Sequence, residues 1–118
     1  IKNLNISYKT RKETIVASSN VNFTLERGEI LGIVGESGSG KSTIANAIIN
    51  LIDPPGQITG GTIKIDNNEL QNKEEIIQRI RGKKIGFVFQ DPQTLKVAII
   101  NLIFPLDISI YRVYNMSI

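Results

Sequence analysis

Near the start of the chain, apolar and polar positions alternate twice, through Leu4, Ile6 and Tyr8 and again through Val21, Phe23 and Leu25. A period of two is the signature of a half-buried strand, so two antiparallel strands with one wet face each are expected. After Glu26-Arg27-Gly28-Glu29, which reads as a turn, Ile30 to Val34 is almost continuously apolar. Such a run predicts a strand buried on both faces. From Ser42 to Ile52 the spacing becomes helical, through Ile44, Ala45, Ala47, Ile48, Leu51 and Ile52, and Pro54-Pro55-Gly56 is expected to stop the helix. Gly60-Gly61 opens a short strand carrying Ile63 and Ile65, with a turn at Asn67-Asn68. Lys73 to Arg81 predicts a short amphipathic helix closed by Gly82, and Ile85 to Gln90 a further apolar strand.

Composition narrows the class. At 118 residues, 41% hydrophobic and 21% charged, the chain has the length and apolar content of one packed domain. The net charge of +3 comes from 14 basic and 11 acidic residues scattered without a long like-charged run, and no aromatics interleave with the basic clusters. Nucleic acid is therefore not an expected partner. The chain contains no cysteine and no histidine, which excludes disulfides, thiolate metal sites and the commonest general base. The start at Ile1, without methionine or a signal-peptide pattern, reads as a cut end.

The chemistry concentrates between the buried strand and the first helix. Gly35-Glu36-Ser37-Gly38-Ser39-Gly40-Lys41-Ser42 fits Gly-x-x-x-x-Gly-Lys-[Ser/Thr], and strand-loop-helix is the context that a phosphate-binding P-loop requires. Glycines at 35, 38 and 40 let successive backbone N–H groups curl inward around an anion. The helix behind them adds its unpaired first amides and partial positive charge. Lys41 is expected to reach the β- and γ-phosphates. Ser42 is expected to offer its hydroxyl to Mg2+, a cation that takes few protein ligands and keeps phosphate oxygens and waters. The glycines never space as Gly-x-Gly-x-x-Gly, which argues against a dinucleotide fold. Asn72-Lys73-Glu74-Glu75 is not a guanine-reading Asn-Lys-x-Asp.

The run from Glu29 to Thr43, Glu-Ile-Leu-Gly-Ile-Val-Gly-Glu-Ser-Gly-Ser-Gly-Lys-Ser-Thr, closely resembles the Walker A region of ABC transporter ATPases. Similarity continues through Asp53-Pro54-Pro55-Gly56, Ile58, Gly60-Gly61, Ile80-Arg81-Gly82 and Phe87-Val88-Phe89-Gln90-Asp91-Pro92-Gln93-Thr94, and it looks like the oligopeptide, dipeptide and nickel importer branch. The resemblance implies ATP and Mg2+ as cofactors, held by Gly35, Glu36, Ser37, Gly38, Ser39, Gly40, Lys41, Ser42 and Thr43. It puts Tyr8 at the position of the aromatic that stacks on adenine, where packing on the core is the competing reading. It puts Gln90, 49 positions after Lys41, at the Q-loop, so that Lys41 and Gln90 would be the catalytic residues and Ser42 and Gln90 the metal contacts.

The fold expected from the resemblance is α/β, an incomplete RecA-like P-loop NTPase core with an antiparallel β subdomain. Residues 1–94 would form the N-terminal part of an ABC ATPase domain. Residues 95–118 read as a divergent tail, because all ten glycines lie at or before Gly86 and the resemblance stops at Leu95-Lys96-Val97. A shifted reading frame would produce that break; a genuine tail that adds a strand to the sheet is the alternative. The family's Leu-Ser-Gly-Gly-Gln signature, Walker B Asp-Glu pair and switch histidine are not in the sequence. The expected role is the ATP-binding part of a peptide or nickel importer, peripheral on the cytoplasmic face of the membrane. There it would pair with a second ATPase domain and with permease subunits. A chromosome-type or DNA-repair ABC ATPase and a non-catalytic nucleotide-binding module are the alternatives. The compact interval between Lys41 and Gln90 favours the importer.

Overall fold

The computed structural model describes residues 1–70 and 73–87, together with the backbone of residues 110–115. Strand β1 (Lys2–Lys9) is the centre of a three-stranded antiparallel sheet, flanked by β2 (Thr14–Val21) and β4 (Gly56–Thr62). Leu4 and Ile6 point into the core, as their alternation predicts. The β1–β2 connection is fixed at Thr10, whose hydroxyl accepts the Glu13 N–H at 3.1 Å and donates to the Glu13 carbonyl at 2.8 Å.

That turn sets a register the sequence pattern did not suggest. Lys9 lies opposite Thr14 and Leu4 opposite Val21, so β2 occupies the residues before the expected strand. Phe23 adds one further rung, exchanging backbone hydrogen bonds with Ile1 at 2.9 and 3.2 Å. Leu25 lies beyond the sheet and is 54% exposed.

Strand β3 (Glu29–Val34) pairs in parallel with β7 (Ile110–Asn115), Glu29 opposite Ile110 and Val34 opposite Asn115. Its side chains are half-buried and Val34 is 45% exposed, so the described residues do not seal this strand on both faces as its apolar run predicts. The apolar face of helix α1 (Lys41–Ile48) enters the core through Ile44 and Ala47. The helix stops before the prolines. Asn50 takes a left-handed φ of 53°, and the N–H groups of Asn50 and Leu51 bond back to Ala47 and Asn46 at 3.0 and 2.8 Å. This paired closure is a Schellman stop, for which asparagine is the usual substitute for glycine.

The expected Gly60-Gly61 strand start falls inside β4, and the hairpin that follows pairs β5 (Lys64–Ile65) with β6 (Asn68–Glu69). Its two turn residues are Asp66 and Asn67, both with positive φ, so the turn falls one position earlier than expected. Helix α2 (Glu74–Ile80) carries Glu74 and Glu75 in its first turn and Arg79 in its last, the charge order that the helix dipole favours. Gly82, at φ 73°, turns the chain beyond it. Ile85 makes an isolated bridge to Arg81, and no strand is formed at 85–87. The remainder of the expected strand, including Gln90, lies outside the described residues. The core is one cluster, with Leu4, Ile6 and Val21 of the sheet packed with Ile44 and Ala47 of α1, Ile77 and Ile80 of α2, and Ile63 and Leu70. Burial of each large aliphatic side chain there contributes about 1.5–3 kcal/mol.

Candidate phosphate-binding site

The core presents one loop at the junction of β3 and α1. Glu36 and Ser39 close a tight turn, the Ser39 N–H bonding the Glu36 carbonyl at 3.2 Å, with Gly38 at φ 83°. Gly40 follows at φ 88° as the residue before the helix, and its carbonyl accepts the first helical bond from Ile44 N–H at 3.0 Å. The two glycines are required for different reasons. A Cβ on Gly38 would meet open space, so only its backbone angle demands glycine. A Cβ on Gly40 would also collide with the Ala17 carbonyl oxygen and the Ser18 hydroxyl of β2. The sheet therefore forms the back wall of the loop.

Side chains at the start of a helix tilt toward its N-terminus, and Lys41 follows this rule by folding back across the loop. Its Nζ donates to the Gly35 carbonyl at 2.8 Å, to the Glu36 carbonyl at 2.6 Å and to Ser39 Oγ at 3.1 Å. A positive charge is thus pinned over the loop that precedes the N-terminus of α1. The first turn of α1 carries no acidic side chain to oppose an anion. Gly35 to Gly38 are exposed, Ser39 is buried, and Ser42 is exposed on the first helical turn. The arrangement can receive a polyphosphate from solvent, with Lys41 as its cation and Ser42 as a hydroxyl beside it. A cavity of about 670 Å³ lined by Lys2, Leu25, Arg27, Lys64 and Asp66 lies elsewhere and takes no residue from the loop.

Tyr8 lies opposite Ile15 of β2 and Gly56 of β4. Its ring is half-buried against Gly56, where an added Cβ would stand 2.7 Å from Tyr8 Cε1 and 2.5 Å from Ile52 Cγ2. Ser18, behind Gly40, lies three positions along β2 from Ile15, about 10 Å at strand rise. Two residues outside the loop support it, Ser18 without a sequence signal and Arg81 within the Ile80-Arg81-Gly82 segment of the resemblance. Ser18 is 5% exposed and its hydroxyl has no hydrogen-bond partner. Arg81 holds the far end of α1, donating from Nε to the Ile49 carbonyl at 2.8 Å and from Nη2 to the Asn50 carbonyl at 3.0 Å.

A family model described as "ABC transporter" matches residues 18–101. Curated relatives include the oligopeptide transport ATP-binding protein OppD of Bacillus subtilis, 48% identical over 96 residues, which are 80% of this chain and 27% of that protein. OppD of Escherichia coli is 40% identical over 80% of this chain and 28% of its own length. The dipeptide transport ATP-binding protein DppD of Haemophilus influenzae is 37% identical over 80% of this chain and 29% of its own length. The chain therefore spans less than a third of each of these relatives. Among solved structures, the ATP-binding cassette MJ0796, a dimer in a post-hydrolysis state bound to ADP and Pi, superposes with a TM-score of 0.63 at 43% identity. That superposition covers 75% of this chain and 37% of the other.

Proposed function

The chain belongs to the ABC transporter family, and from that premise we propose that Gly35 to Thr43 hold the phosphates of ATP with Mg2+, as the nucleotide-binding part of a peptide or nickel importer. The fold is the α/β P-loop NTPase fold of ABC cassettes, with an antiparallel sheet beside it. The observation that carries the proposal is the position of Lys41, whose ammonium is fixed over the loop by two backbone carbonyls at 2.8 and 2.6 Å. With the amides of the loop, it supplies charge-assisted donors to the phosphate oxygens, each contributing roughly 1.5–3 kcal/mol.

The residues present fit Mg2+ as a cation delivered with the nucleotide. Ser42 offers one exposed hydroxyl, and among the described residues no cluster of three or more His, Cys, Asp or Glu makes a cage of its own. When bound, Mg2+ would neutralise phosphate charge. Tyr8, on the central strand of the sheet that backs the loop, is assigned to stack on the adenine. Gln90 is assigned to the metal and the attacking water.

Residues 1–94 are assigned to the ATPase domain and 95–118 to a divergent tail. In the importer, this part would associate with a second ATPase domain and with permease subunits at the cytoplasmic face of the membrane. No helix among the described residues is long and apolar enough to cross a membrane. The family's Leu-Ser-Gly-Gly-Gln signature, Walker B Asp-Glu pair and switch histidine are not in the sequence, so turnover by the chain itself should be negligible. Thermal unfolding with Mg-ATP and with Mg plus adenosine tests the reading. ATP should raise the midpoint in a concentration-dependent way while adenosine has little effect. Equal shifts, or none with ATP, would contradict a phosphate site.

A further inference from the structure

An ammonium has three N–H donors, and in this loop all three are committed. Two go to backbone carbonyls, Gly35 O at 2.8 Å and Glu36 O at 2.6 Å, and the third goes to Ser39 Oγ at 3.1 Å. A phosphate oxygen can engage Lys41 only by replacing one of them. The carbonyls are held by the backbone, Glu36 O also closing the turn with Ser39 N–H at 3.2 Å. Ser39 Oγ, the longest of the three contacts and a neutral acceptor, is free to turn about one side-chain bond. It is the acceptor that a phosphate oxyanion displaces, since ionised acceptors bind an ammonium more strongly than a hydroxyl does.

We propose that Ser39 Oγ is a placeholder for a phosphate oxygen on Lys41, and that it lowers the affinity of the loop for nucleotide by competing for that third donor. Ser39 is 6% exposed, so the displaced hydroxyl is not freely rehydrated. The exchange therefore carries a penalty that a chain without this hydroxyl would not meet. The inference rests on the phosphate-site reading above and adds an affinity-setting role for one side chain within it.

The test is calorimetric titration of the full chain with Mg-ATP, comparing the wild type with Ser39→Ala and Ser39→Cys, the latter because a thiol is a weak acceptor. Both variants should bind about three- to tenfold more tightly, the range set by one modest hydrogen bond. In a Lys41→Ala background, titrated at higher nucleotide concentrations, Ser39→Ala should change affinity less than about twofold, because the two residues act as one unit. Circular dichroism confirms folding of each variant, and Ser39→Cys decides the matter if Ser39→Ala does not fold. Unchanged or weaker binding in the folded variants would overturn the placeholder role and leave the phosphate site standing. An equal gain without Lys41 would also overturn it. Absence of ATP binding by the wild type would overturn both readings together.

Discussion

Gly40 is pressed against Ser18: the glycine at the mouth of helix α1 leaves no room for a Cβ, because the Ser18 hydroxyl and the Ala17 carbonyl of strand β2 fill the space. The relationship joins the antiparallel sheet to the phosphate loop and makes the loop's shape a property of the whole fold. Gly40→Ala should therefore be much more damaging than Gly38→Ala. At Gly38, with φ 83° and open space around it, the left-handed backbone alone costs about 1–2 kcal/mol. At Gly40 a steric clash adds to the same angular cost, so about 3 kcal/mol or more is expected. Urea unfolding of the two variants, compared by midpoint, checks the order.

The same contact places an unpartnered hydroxyl in the core. Ser18 Oγ is buried without a hydrogen-bond partner, and a buried polar group left unsatisfied costs about 1–3 kcal/mol. Ser18→Ala should thus stabilise the chain by about 1 kcal/mol, a midpoint rise measurable by differential scanning calorimetry. A fall in stability would mean that the hydroxyl contributes favourably where it sits.

Arg81 ties the end of helix α1 to helix α2 through the Ile49 and Asn50 carbonyls, and it lies 3.7 Å from Glu74. Because the C-terminal carbonyls of a helix have no partners within it, a guanidinium there both caps them and meets the negative end of the dipole. Arg81→Met should cost roughly 1–3 kcal/mol after allowance for partial exposure. Asn50→Gly should be tolerated, since the position needs φ 53°. Chemical unfolding of both variants separates the two effects.

How far the chain can be read without its structure follows from these residues. The loop from Gly35 to Ser42 is legible because its chemistry is local: consecutive residues supply the turn, the amides and the lysine. The apolar pairs Ile44 and Ala47, and Ile77 and Ile80, are legible for the same reason, their spacing being that of a helix. Strand β2 is not, because its start at Thr14 is set by the hydrogen bonds of Thr10 to Glu13, and two of its aliphatic residues, Ile15 and Val16, face solvent. The stop at Asn50 was obscured by the stronger signal of Pro54-Pro55. The contacts of Ser18 with Gly40, and of Arg81 with Ile49, join residues distant in sequence, and no local pattern encodes them.

Asp66 supplies a pH-dependent element. Its carboxylate accepts from Lys84 Nζ at 2.7 Å and from Arg27 Nη2 at 3.0 Å. The Lys84 hydrogen bond and charge, with Arg27 in support, hold its pKa below the ordinary 3.8. A depressed carboxylate stabilises the fold above its unfolded pKa and loses that contribution as pH falls through the folded value. Asp66→Asn should therefore lower the unfolding midpoint near neutral pH and converge with the wild type as pH falls through the depressed folded-state value, below the ordinary 3.8. A difference that persists at low pH would assign the effect to packing rather than charge.

The most direct test of the central claim is titration of the chain and of Lys41→Ala with Mg-ATP under identical conditions. If the Lys41 ammonium, held by Gly35 and Glu36, is the cation of a phosphate site, the variant should bind at least about tenfold more weakly, the loss of one charge-assisted bond. Equal affinity in the two proteins would contradict the assignment.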